Sequence, residues 1–215
     1  KSEENILQLS IKNTEYLLKK DCKIIVVACN TATTNAISYL RANYNVPFIG
    51  IEPAIKPAAL NTKSKAVGIL ATKGTLSSQL FYKTTDLYAN GIKMIEQVGE
   101  GIVPLIETGQ LESKEMKSLL ETYLKPMIEQ EIDYLVLGCT HYPYLIPMLS
   151  KMLPEHVKII DSGLAVAKQT QAILSNLNLL NSSSDKPTIN LYTNGDIAIL
   201  NSILNNQFSV SYLDF

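Results

Sequence analysis

Cys29 and Cys139 have the surroundings that chemistry needs. Each stands at the carboxyl end of a short apolar run, Ile24-Ile25-Val26-Val27 in one case and Leu135-Val136-Leu137 in the other. Each is followed by polar residues, Asn30-Thr31 and Thr140-His141. Such runs read as buried strands, and the segments after them can start helices. In α/β proteins ligands collect at the carboxyl ends of parallel strands. A helix N-terminus there adds free N–H groups and partial positive charge, which lower a thiol's pKa and attract a carboxylate. Having the arrangement twice points to two thiols facing one pocket.

The elements that must position these thiols follow from hydrophobic spacing. Helical periodicity runs over residues 3–20, 33–43, 76–89, 109–129, 144–152, 164–177 and 197–205. A short helix rich in alanine and proline follows Ile51-Glu52-Pro53. Strand-like runs lie at 23–28, 46–50, 66–70, 92–97, 134–138, 157–160 and 188–192, with 71–75 as a loop. Strands alternating with helices predict an α/β fold with mostly parallel sheets. Two Rossmann-like lobes are expected, residues 1–52 with 161–215 in the first and 53–160 in the second. The pocket would lie in the cleft between them.

The 215 residues are 46% hydrophobic, enough for a substantial core. A net charge of −1 offers no basic surface for nucleic acid or an anionic membrane. No apolar stretch approaches the ~20 residues of a membrane helix. Three cysteines do not make a disulfide framework, so a reducing, cytoplasmic setting is expected.

Several segments resemble the glutamate racemases of the aspartate/glutamate racemase superfamily. Val27-Ala28-Cys29-Asn30-Thr31-Ala32-Thr33 and Leu137-Gly138-Cys139-Thr140-His141-Tyr142-Pro143 resemble that family's two cysteine motifs. Gly68-Ile69-Leu70-Ala71-Thr72-Lys73-Gly74-Thr75 and Val103-Pro104-Leu105-Ile106-Glu107 resemble two more segments, in the family's order. The similarity extends through Asp161-Ser162-Gly163 to Thr193-Asn194-Gly195-Asp196. The family begins with an Asp-Ser-Gly segment and a later Pro-Tyr-Gly loop, and neither has a counterpart ahead of Lys1. An amino-terminal piece is therefore expected to precede this chain. Without it the chain is expected to be weakly active and prone to associate.

The resemblance implies interconversion of L- and D-glutamate, supplying D-glutamate for peptidoglycan. It assigns Cys29 and Cys139 as the two acid/bases, one on each side of Cα. A free thiol pKa of about 8.5 suits both roles. Helix N-termini and a cationic His141 would favour the thiolate forms. The resemblance gives His141 a supporting role beside Cys139, with Glu107 orienting it. Asn30, Thr31, Thr75, Thr140, His141 and Thr72 would bind the substrate. No cofactor and no metal are called for, and a homodimer fits the family.

Other readings compete. Cys22 has no polar motif around it and reads as packing. Cys139, His141 and Cys29 could be part of a zinc site, but Cys-x-His is not a usual structural zinc spacing. His156 and the lysines of 114–125 read as solvated, and Glu107 alone could be a surface carboxylate. Asp161 and Asp196 read as helix caps, and Thr72 and Thr75 could be the same. Two alternatives to glutamate remain: aspartate or hydantoin racemisation, and a non-catalytic amino-acid-binding fragment.

Overall fold

The structure, a computed structural model, describes residues 2–214. Helix α1 (Glu3–Leu18) begins where the Ser2 hydroxyl accepts from the Asn5 N–H, with Glu3 and Glu4 against the positive end of the dipole. Its apolar stripe of Leu7, Ile11, Leu17 and Leu18 packs on Ile25, Ala36, Ile37, Leu40 and Phe48. Those residues belong to β1 (Ile25–Val27), α2 (Asn30–Asn43) and β2 (Phe48–Gly50), a parallel β–α–β unit in which Val27 pairs with Gly50. Among the described residues β1 pairs only with β2.

A four-stranded parallel sheet follows. Helix α3 (Ile55–Asn61) leads into β3 (Ala66–Ala71), then α4 (Lys73–Leu76), α5 (Gln79–Tyr88) and β4 (Lys93–Val98). Helices α6 (Ile102–Glu107) and α7 (Lys114–Glu129) precede β5 (Tyr134–Gly138). A 3-10 turn (Tyr142–Leu145) and α8 (Ile146–Met152) connect it to β6 (Lys158–Ile160). The order is β4-β3-β5-β6, so β3 and β5 are central and every residue in them is buried. That is why they read as continuous apolar runs. Their side chains alternate between two cores. Leu70, Leu135 and Leu137 face Ile102, Leu120 and Met127 on one side. Val67, Ile69 and Val136 face Ile55, Ala58 and Phe81 on the other.

The chain closes with α9 (Gly163–Asn176), β7 (Leu191–Thr193), α10 (Ile197–Ile203) and β8 (Val210–Tyr212), in which β7 and β8 pair in parallel. The Ser162 hydroxyl donates to the Glu52 carbonyl and ties the start of α9 to the segment after β2. The architecture is the expected α/β with parallel sheets.

Local differences from the expectations have identifiable causes. The loop expected at 71–75 contains α4, because Thr72 caps a helical turn. The helix expected over 76–89 starts only at Gln79, where the Ser78 hydroxyl accepts from Phe81 N–H. The long helix starts at Lys114 rather than near 109, because Ser113 caps it through the Met116 N–H. Helix α2 starts three residues early, with Cys29 as its cap. Helix α6 and strand β8 were not expected.

Candidate active site

The β1–α2 connection places the first thiol. Thr33, buried on α2, donates its hydroxyl to the Val27 carbonyl at 3.1 Å and accepts from the Ile51 N–H at 3.0 Å. This ties the ends of β1 and β2 to the first turn of α2. Cys29 is the helix cap, with its sulfur 3.4 Å from the Ala32 nitrogen, and it is exposed. The expected thiol at a helix N-terminus is present here.

The second thiol follows β5. Gly138 pairs with Ala71, and a Cβ at position 138 would lie 2.6 Å from the Ala71 Cβ. Only glycine lets the two strand ends approach this closely. Cys139 is 9% exposed. Burial pushes its thiol up to about 11, although the nearby backbone N–H groups of His141 and Tyr142 pull the other way. The negative charges of Cys29 and Glu107 raise it further. The two N–H groups favour the thiolate, the direction expected of them, but only a short 3-10 turn follows Cys139 and desolvation outweighs the donors.

His141 bridges two groups. Its Nδ1 lies 3.8 Å from Cys139 Sγ and its Nε2 lies 3.1 Å from Glu107 Oε1. The imidazole side chain is 36% exposed and the carboxylate 61%, so solvent screens this pair. Helix α6, unrecognised from the sequence, delivers Glu107 at its last residue.

The threonines form a chain. Thr31 Oγ1 lies 3.1 Å from Thr72 Oγ1, which lies 3.0 Å from Thr75 Oγ1. Thr72 also caps α4, so its capping and site readings are compatible. Thr75 is fully buried. Asn30 is 4% exposed, and among the described residues its side-chain NH2 has no hydrogen-bond partner. Thr140 stands beside His141.

Three cavities border the two motifs, one of them, about 360 Å³, lying against Val27, Ala28 and Cys29. About 870 Å³ lies against Cys29, Thr31, Thr72 and Gly74. About 510 Å³ lies against Glu107, Thr140 and His141, walled by residues 193–196. Outside the site, Asp196 caps α10 by accepting from the Ala198 N–H, as expected. The cap residue of α9 is instead Ser162 and not Asp161, whose Oδ1 accepts from the Gly163 N–H one residue before the cap position. Cys22 packs against the α1–α2 core and His156 is exposed. Among the described residues, no three His, Cys, Asp or Glu side chains gather as a metal-holding group, and no helix is long and apolar enough to cross a membrane.

Sequence reasoning missed Thr33, Tyr142 and Gly99. Their partners are distant in the chain, and no local spacing signals them.

Known proteins agree on the kinship. The family described as Asp/Glu/Hydantoin racemase matches residues 4–170. A glutamate racemase from Herpetosiphon aurantiacus is 40% identical over 198 residues, 92% of this chain and 78% of that one. One from Ectopseudomonas mendocina is 42% identical over 205 residues, 95% of this chain and 78% of that one. The crystal structure of Escherichia coli glutamate racemase with L-glutamate and the activator UDP-MurNAc-ala superposes with a TM-score of 0.85 at 29% identity, covering 99% of this chain and 82% of that one. On sequence and on fold alike, the chain belongs to the Asp/Glu/hydantoin racemase family, and within it to the glutamate racemases.

Proposed function

We propose that this chain interconverts L- and D-glutamate by proton transfer between two thiols, with no cofactor, in the cytoplasm, and that the D-glutamate serves peptidoglycan synthesis. The observation that carries the reading is the unequal pair of cysteines at two parallel-strand ends, one exposed as the cap of α2 and one buried beside His141. The L-glutamate bound to the E. coli relative supports the choice of substrate.

Racemisation removes the α-proton from one face of Cα and returns a proton to the other. With D-glutamate, the Cys29 thiolate takes the α-proton and the Cys139 thiol gives its own to the opposite face. The products are L-glutamate, a Cys29 thiol and a Cys139 thiolate. The reverse direction starts from that second state. His141, beside Cys139, supports its thiolate through the near ring nitrogen, and Glu107 orients the ring through the far one. Asn30, Thr31, Thr72, Thr75 and Thr140 offer donors to the substrate carboxylates, the buried Asn30 NH2 being free of other hydrogen-bond partners among the described residues. Preorganised donors of this kind stabilise developing negative charge. The sheets divide the same way as the proposed lobes: all four strands of the larger sheet lie within 53–160, and both small sheets lie outside it.

The test is α-proton exchange of L- and D-glutamate in heavy water, followed by proton NMR, with wild type, Cys29→Ser and Cys139→Ser. Exchange in wild type that is lost in either variant is expected. Exchange that survives in both variants would sink the two-thiol mechanism.

A further inference from the structure

We propose that Tyr142 is a positioning residue: its hydroxyl, donating to the Gly99 carbonyl, locks the β4–α6 loop to the Cys139–His141 turn and so keeps Glu107, His141 and Cys139 in line. The inference rests on the racemase reading for its catalytic meaning.

Tyr142 is fully buried, and its hydroxyl lies 3.2 Å from the Gly99 carbonyl oxygen. Gly99 is itself fixed. Its N–H donates to the Ala71 carbonyl at 2.9 Å, at the end of β3, and its carbonyl also accepts from Ile102, the first residue of α6, at 3.4 Å. A Cβ at position 99 would collide with the Tyr142 hydroxyl. Glycine is thus required for this contact. From Gly99 the chain runs through the single short helix α6 to Glu107, which holds His141. From Tyr142 the path back to the thiol is shorter. Its N–H donates to the Cys139 carbonyl at 3.1 Å. The two segments are therefore joined twice, once at Glu107–His141 on the surface and once at Gly99–Tyr142 in the core. The surface link is screened and weak. The buried link is dry and sets the geometry of the other.

Burial, Cys29 and Glu107 disfavour ionisation of the Cys139 thiol, the His141 and Tyr142 N–H groups favour it, and the His141 ring faces the sulfur at 3.8 Å. Removing the Tyr142 hydroxyl loosens the two N–H groups.

The test uses the full chain with Tyr142→Phe and, separately, Gly99→Ala. Racemisation kcat is expected to fall about fivefold in Tyr142→Phe, with KM within about twofold. Combining Tyr142→Phe with Glu107→Gln is expected to cost less than the product of the two single effects, because both act through one alignment. A second readout needs no turnover. In a Cys29→Ser background, iodoacetamide alkylation of Cys139 is followed by mass spectrometry from about pH 8 to about pH 9.5. The rate profile is expected to move to higher pH, with about threefold slower labelling at any one pH. Gly99→Ala is expected to move both readouts the same way. A Tyr142→Phe protein that melts earlier but keeps the wild-type labelling profile and kcat would overturn the inference, since ring packing alone would then explain the residue. A profile that moves to lower pH would overturn it too. A shifted profile in a chain that does not racemise glutamate would leave the positioning intact and remove only its catalytic meaning.

Discussion

Cys139 Sγ lies 3.8 Å from His141 Nδ1, and the far nitrogen of the same ring is held by Glu107 at 3.1 Å. A buried thiol pushed up to about 11 needs such a neighbour before it can act as a base near neutral pH. His141→Asn is expected to lower kcat/KM about a hundredfold, within the range of a lost general acid–base partner. Glu107→Gln is expected to cost less, about tenfold, because that carboxylate is largely solvated. The two enantiomers have equal free energies, so kcat/KM must fall by one factor in both directions. Circular dichroism from each enantiomer reads this, and unchanged rates in His141→Asn would remove the residue from the chemistry.

The two thiols are expected to differ sharply in reactivity. Cys29 is exposed at a helix start, whereas Cys139 is buried. At pH 8 a thiol of pKa about 11 is ionised in only about one molecule per thousand. Limited iodoacetamide treatment followed by peptide mass mapping should label Cys29 well before Cys139. Equal labelling would mean that Cys139 is neither dry nor protonated.

Asp133 carries a separate, structural prediction. Burial raises its pKa, but the Thr62 hydroxyl at 2.6 Å and the N–H groups of Lys63 and Ser64 at 2.6 and 3.1 Å outweigh it, and the net shift is downward. A carboxyl depressed in the folded state stabilises the fold above its unfolded pKa of about 3.9. That stabilisation drains away as pH falls through the lower, folded value. The stability gap between wild type and Asp133→Asn should thus be widest near neutral pH and narrow below about pH 4. Urea melts across that range measure it, and a gap that widens on acidification would contradict the assignment.

Much of this was readable in the residues, and the failures are instructive. Strands β3 and β5 were legible because both faces are buried, so Ala66–Ala71 and Tyr134–Gly138 are uninterrupted apolar runs. Helix α6 was not, because Ile102–Glu107 is short and carries Pro104, and only packing on the sheet makes it helical. Strand β8 has three residues and exists through its pairing with β7. Cys29 and Cys139 stood out from their strand ends. The raised thiol of Cys139 did not, because desolvation is a property of the assembled core. The Tyr142–Gly99 bond was equally invisible, since its partners are 43 positions apart.

Asn30 sets function against stability at one position. It opens α2 almost fully buried, and among the described residues its amide NH2 has no hydrogen-bond partner. An unsatisfied buried donor costs about 1–3 kcal/mol. A substrate oxygen accepting from this NH2 would offset that cost. Asn30→Ala removes the orphaned donor and supplies a better helix former. The variant should melt no earlier than wild type while its KM for glutamate rises at least about tenfold, as expected for a lost hydrogen bond to a charged ligand. Calorimetric melting and initial rates on the same preparation make the comparison. A destabilised variant with unchanged KM would show that the amide serves the fold and not the ligand.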